Sequence, residues 1–173
     1  MAEMKMEEFE NKVNLYELPK PIKMFLSLFL INMGLGYLLA VLTVMVVEGL
    51  GYNGIVAHYR GDEANGIFPP ELKELAQHAH THMLSMAMMF FTMGLPFLFT
   101  KTLPKWLKKL VLADGFVAVI IATSAFFLIR YVWPPFAVLM IISGMLFGIC
   151  AFFMTLTPMY EMWFGTNVPW KKK

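Results

Sequence analysis

Four long apolar runs separated by polar connections dominate the chain, at about 22–47, 71–100, 110–129 and 136–156. As helices, each is long enough to cross a hydrocarbon core of roughly 30 Å, which takes about 20 residues. The first lies between Lys23 and Glu48, and its one strongly polar interior residue, Asn32, predicts a hydrogen bond to a neighbouring helix. Gly34, Gly36 and Ala40 give that run a small-residue face for close helix packing. The second begins at Pro69-Pro70-Glu71, where prolines and the acids Glu71 and Glu74 suit a helix start. It then runs from Met83 to Phe99 without a charge, and Pro96 predicts a kink near its exit. Lys105, Lys108, Lys109 and Arg130 bound the third, in which Asp114 reads as a helix cap or a partner of Lys108 or Lys109. The fourth follows Trp133-Pro134-Pro135.

This pattern predicts an all-α fold, an integral membrane up-down-up-down four-helix bundle over 22–158. Residues 1–21 read as an amphipathic segment, with Met6, Phe9, Val13 and Tyr16 at helical intervals and no apolar core long enough for a signal peptide. Residues 49–70 form the longest polar connection, and 159–173 read as a basic tail.

Composition agrees with this pattern. A chain of 173 residues that is 58% hydrophobic and 15% charged cannot solvate the outside of a soluble globule, and a net charge of +2 gives no case for nucleic acid. The charges instead set the orientation. Lys5, Lys12, Lys20 and Lys23, then Lys101, Lys105, Lys108 and Lys109, then Lys171 to Lys173 fall on one side of the four spans. Arg60, Lys73 and Arg130 fall on the other. By the positive-inside rule the N- and C-termini are expected to be cytoplasmic, with the 49–70 connection facing outward, toward a periplasm if the cell is a bacterium with two membranes. Cys150 stands alone in an apolar run, which excludes an intrachain disulfide and a cluster or zinc site built on cysteines of this chain.

The chemistry concentrates at that outer side, where all four histidines, His58, His78, His80 and His82, fall between Ala57 and Met83. A single histidine at a helix start is an ordinary solvated residue. Three within five positions, with a fourth in the adjoining connection, point to a site, because neutral imidazole is the commonest metal ligand. On a regular helix His78 and His82 share a face and can grip one ion, whereas His80 points about 200° away unless the helix starts after it. His58 is placed to fold back as a further ligand, with Asp62, Glu63 or Glu74 as oxygen donors. Imidazole ligation suits copper, zinc or iron, and methionines such as Met86 tilt the set toward copper. Haem b is the other candidate cofactor. It would be held by His58 opposite a second-span histidine or by a His/Met pair, with Arg60 and Arg130 at its propionates and Tyr59 as a wall.

The run His58-Tyr59-Arg60-Gly61-Asp62-Glu63, with Phe68-Pro69 and then His80-Thr81-His82 before a long apolar helix, resembles an uncharacterised family of small bacterial four-span membrane proteins. Its marks are an HYRG loop and an H-x-H second-helix entrance, and the resemblance covers most of the chain from the first span onward. It implies that His58, Arg60, His80 and His82 act together, with His78 an addition. Members carry a further histidine deeper in the second span, where this chain has Leu95 or a neighbour.

Two functions are therefore expected. One is a membrane redox protein exchanging electrons with quinol or a periplasmic electron carrier. The other is a copper-handling or assembly protein, or an accessory subunit of a larger respiratory complex, with a homo-oligomer allowed in either case. No Ser/His/Asp order, phosphate-binding glycine loop or intramembrane carboxylate pair recommends hydrolysis or ion pumping.

Overall fold

A computed structural model describes residues 13–49 and 51–165; the first part of the N-terminal segment and the Trp170-Lys171-Lys172-Lys173 end lie outside the described residues. A short 3-10 turn, Leu15–Glu17, leads into α1, Lys20–Val47, whose start is set by Pro19 as cap and Pro21 in the first turn. α2, Tyr52–Arg60, crosses the end of the bundle. α3 covers Leu72–Leu98, α4 covers Lys105–Phe127 with a π-helical turn at Leu128–Val132, and α5 covers Phe136–Phe164. Among the described residues no strand forms beyond an isolated bridge between Asp62 and Ile67.

α1, α3, α4 and α5 are each long and apolar enough to cross a membrane. Their pairing is antiparallel in sequence order. Tyr37 of α1 stacks on Phe147 of α5, and Trp163 near the end of α5 donates to Ser27 near the start of α1. Gly94 and Gly115 bring α3 and α4 together in the same opposed sense. The interior holds two clusters. The larger is built on Leu30, Phe90, Met93, Phe97, Val119, Phe147 and Met154, and the smaller on Ile55, Tyr59, Leu75, Phe126, Ile129 and Ala137. Outside, Leu35, Leu38, Leu39 and Leu42 of α1 and Phe152 of α5 are exposed, a surface that only lipid tails or apolar partners tolerate.

α1 is thinly held, with Ser27 and Leu30 its only buried residues. Asn32 donates to the carbonyl of Leu28, 2.8 Å away in its own helix, so the expected bond to a neighbour is replaced by a local one. Asp114 does not cap α4 or pair with a lysine there: its carboxylate accepts from the thiol of Cys150, 3.3 Å away. Lys108 instead donates to the carbonyls of Leu98 and Thr100, which are the free acceptors at the end of α3. Nearby, the buried carboxylate of Glu161 accepts from the backbone N–H of Lys101 and from both the N–H and hydroxyl of Thr102, clamping the α3–α4 connection onto α5. α5 extends past the expected end of the fourth span to Phe164, through Pro158, because Met159–Phe164 still has packing partners such as Ser27.

Candidate functional site at the histidine end

α3 starts at Leu72 under a capping box, in which the Glu71 side chain accepts from the backbone N–H of Glu74 and the Glu74 side chain accepts from the N–H of Glu71 at 3.2 Å. Helix is therefore established well before His78. The 3.6-residue pitch then decides where each ring goes. His78 and His82 stack, with centroids 5.7 Å apart and planes 23° from parallel. Met86, one turn further along the same face, is half-buried against the larger core cluster. His80 stands on another face with Met83, Thr123, Ser124 and Phe127, apart from the other two.

Phe126 of α4 organises the histidine face. Its ring centre lies 5.2 Å from that of His78, 5.6 Å from that of His82 and 5.4 Å from that of Tyr59, on which it stacks. Tyr59, only 1% exposed, meets the edge of the adjoining His58 ring at 4.8 Å. α2 thereby brings His58 to the same side as His78 and His82. Burial, and behind it the neighbouring His78, holds the His58 imidazole below its ordinary value, so it is neutral and a free ligand at physiological pH. Among the described residues no three His, Cys, Asp or Glu side chains are already arranged around one point to hold a metal ion. Ligation by His58 beside the pair requires its ring to turn, which interface side chains commonly do.

The turn carrying His58 is fixed by its glycines. Gly61 has φ of +88° and packs against Pro69 so closely that a Cβ would sit 2.8 Å from the proline ring. Only glycine meets both requirements. Arg60 reaches across to donate to the carbonyl of Ile129 at 3.1 Å, tying α2 to the end of α4. The π-helical turn there closes through the N–H of Trp133 on the carbonyl of Leu128 at 2.9 Å. Within it the Arg130 guanidinium lies 5.4 Å over the Tyr131 ring, and its Nε is buried without a partner. Arg60 serves the backbone and Arg130 serves an aromatic face.

Glu48 belongs to this site although the sequence suggests only a span boundary for it. It is 8% exposed and accepts from the Tyr59 hydroxyl at 3.4 Å through Oε1, while Oε2 is buried with no partner. Burial pushes its carboxyl up to about 7, against the smaller opposing effect of the Tyr59 hydrogen bond. Burial and then the facing carboxylate push the Tyr59 hydroxyl up as well, so it stays protonated and acts as the donor. Phe126 and Thr123 are likewise unmarked in the sequence. An aromatic ring in an apolar run carries no signal, while the adjacent hydroxyls of Thr123 and Ser124 in the third run are a faint one.

Four apolar helices with a histidine-bearing rim define a multi-pass α-helical membrane protein. Within that class the chain belongs to the Aq_1264_TM family, described as a transmembrane helical domain, which matches residues 49–169. The match runs from the connection after α1 through the described part of α5. No curated protein and no solved structure matches the chain.

Proposed function

We propose that the protein is a redox protein of the bacterial inner membrane that binds one transition-metal ion at its outer rim through His78 and His82, with His58 closing on the pair. The single observation carrying this reading is the stacked His78–His82 pair on Phe126, with the His58 ring held on the same side by Tyr59. Two imidazoles four residues apart on one helix are a preformed half of a metal site. Met86, at the next step of the same face, adds a thioether and favours copper over zinc and iron. The charge bias supports an outward orientation for this end, with the lysine-rich ends in the cytoplasm. The HYRG loop supplies His58 and the tie from Arg60 to α4, and the H-x-H stretch supplies His82. Electron exchange with quinol or a periplasmic carrier is the role that a surface ion on a small bundle suits.

Haem b has less support, because Phe126 fills the space between Tyr59 and the two α3 histidines where a porphyrin would stand. Purified protein tests both readings by elemental analysis and an absorption spectrum. Stoichiometric copper or iron, lowered about tenfold or more in affinity by His78→Ala or His82→Ala and little by His80→Ala, is the expected result. Equal metal retention by all the single variants overturns the site, and a Soret band with reducible α and β bands replaces the ion by haem.

A further inference from the structure

His80, left out of the histidine face, lines a groove of about 230 Å³ between α3 and α4, together with Ala79, Met83, Thr123, Ser124 and Phe127. Thr123 is 4% exposed, and its hydroxyl is buried with no hydrogen-bond partner among the described residues. Membrane-helix threonines ordinarily return such a hydroxyl to a carbonyl of their own helix, as Thr43, Thr92 and Thr155 do here. Leaving it unmade is costly in an apolar setting, and a ligand oxygen is what would satisfy it.

We propose that this groove binds the headgroup of a membrane quinone, with His80 and Thr123 bonding its ring oxygens and Phe127 against its ring. Four features of the groove select that chemistry. Imidazole and hydroxyl donors suit carbonyl oxygens on a flat ring. Among the described residues no lysine or arginine lines the groove, so a phospholipid phosphate finds no counter-charge there. Its volume falls below the roughly 300–1,000 Å³ of sites for drug-sized ligands, so it takes one ring and leaves a tail outside. His80 lies about 12 Å along α3 from Leu72, just before the uncharged run Met83 to Phe99, beside which an isoprenoid tail has apolar surface to follow. The two-residue spacing of His80 and His82 then divides the labour of one helix, metal on one face and quinone on the other. The inference deepens the redox reading, on which only its physiological purpose rests.

Equilibrium dialysis of decylubiquinone against the full-length protein in nanodiscs tests it, with metal content measured on the same samples. Saturable one-to-one binding is expected, weakened about fivefold by Thr123→Val and by His80→Ala. Thr123→Val keeps the side-chain shape and removes an orphan hydroxyl, so its thermal midpoint should hold or rise, which separates lost binding from lost folding. His78→Ala should lower metal content and leave quinone affinity within about twofold. Absence of saturable binding, wild-type affinity in both groove variants, or a phospholipid retained in the groove and released by Thr123→Val overturns the quinone site. Loss of metal alone would overturn the metal reading and leave the quinone site standing.

Discussion

Tyr59 and Phe126 stack with ring centroids 5.4 Å apart and planes 13° from parallel, joining the short helix across the bundle's end to the end of a membrane span. Everything chemical at that end hangs on the contact. Tyr59 carries the hydrogen bond to Glu48 and the edge of His58, and the Phe126 ring meets His78 and His82.

Phe126→Ala should therefore cost about 3–5 kcal/mol, the usual loss for emptying a buried phenylalanine site. The larger effect should fall on metal content, because both α3 histidines lose the ring they lean on. Phe126→Leu should recover most of the stability and less of the metal affinity. Thermal unfolding in detergent and elemental analysis of both variants check this, and equal recovery of the two properties would make Phe126 plain core.

Glu48 gives a pH dependence with a definite sign. Its carboxyl is raised from the ordinary 4.5 to about 7, so between those values the unfolded chain loses the proton while the folded one keeps it. The contribution of Glu48 to stability should be fully present below about 4.5, fall as pH rises through the window and be lost above about 7. Glu48→Gln should match wild type at pH 4 and melt about 5 °C or more above it at pH 8. Parallel melting profiles for the two proteins from pH 4 to 8 would show that the fold does not raise this carboxyl.

At Gly115 the Phe90 ring of α3 lies directly against the backbone of α4. A Cβ there would lie 2.5 Å from the Phe90 ring, which itself packs edge-on to Phe147 at 4.4 Å. Gly115→Ala should destabilise by about 1–3 kcal/mol through overpacking. Gly36→Ala, with nothing within 4 Å of the new methyl, should be neutral or slightly stabilising. Melting midpoints of the two variants decide it.

At the opposite end Glu161, 2% exposed, is the acceptor for the buried N–H and hydroxyl of Thr102. Glu161→Ala should cost about 3 kcal/mol or more by stranding those donors. Glu161→Gln keeps an acceptor oxygen and should cost clearly less. Limited proteolysis at 100–104 should follow the same ranking.

The spans were legible because a run such as Phe136 to Leu156 has one reading in hydropathy, and the His78–His82 face because helical pitch fixes it. The partners of single polar residues were not legible. Asn32 and Asp114 each chose an acceptor or donor that only packing reveals, Leu28 in the same helix and Cys150 across from it. Glu48, Tyr59 and Phe126 meet from three separate segments, and spacing along the chain says nothing about such meetings. The resemblance grouped His80 with His82, while the early start of α3 puts them on different faces.

α1 has 28 residues, roughly 42 Å of helix, to fit into about 30 Å of hydrocarbon. With Ser27 and Leu30 its only fully buried residues, and Leu26, Phe29, Met33 and Tyr37 packed part-buried on the core, it answers to the thickness of its bilayer, tilting more where lipids are short. Glu48 rides on its far tip. Swapping short-chain lipids for long ones is thus expected to pull that carboxyl toward or away from its phenol, making membrane thickness itself an input to the histidine rim.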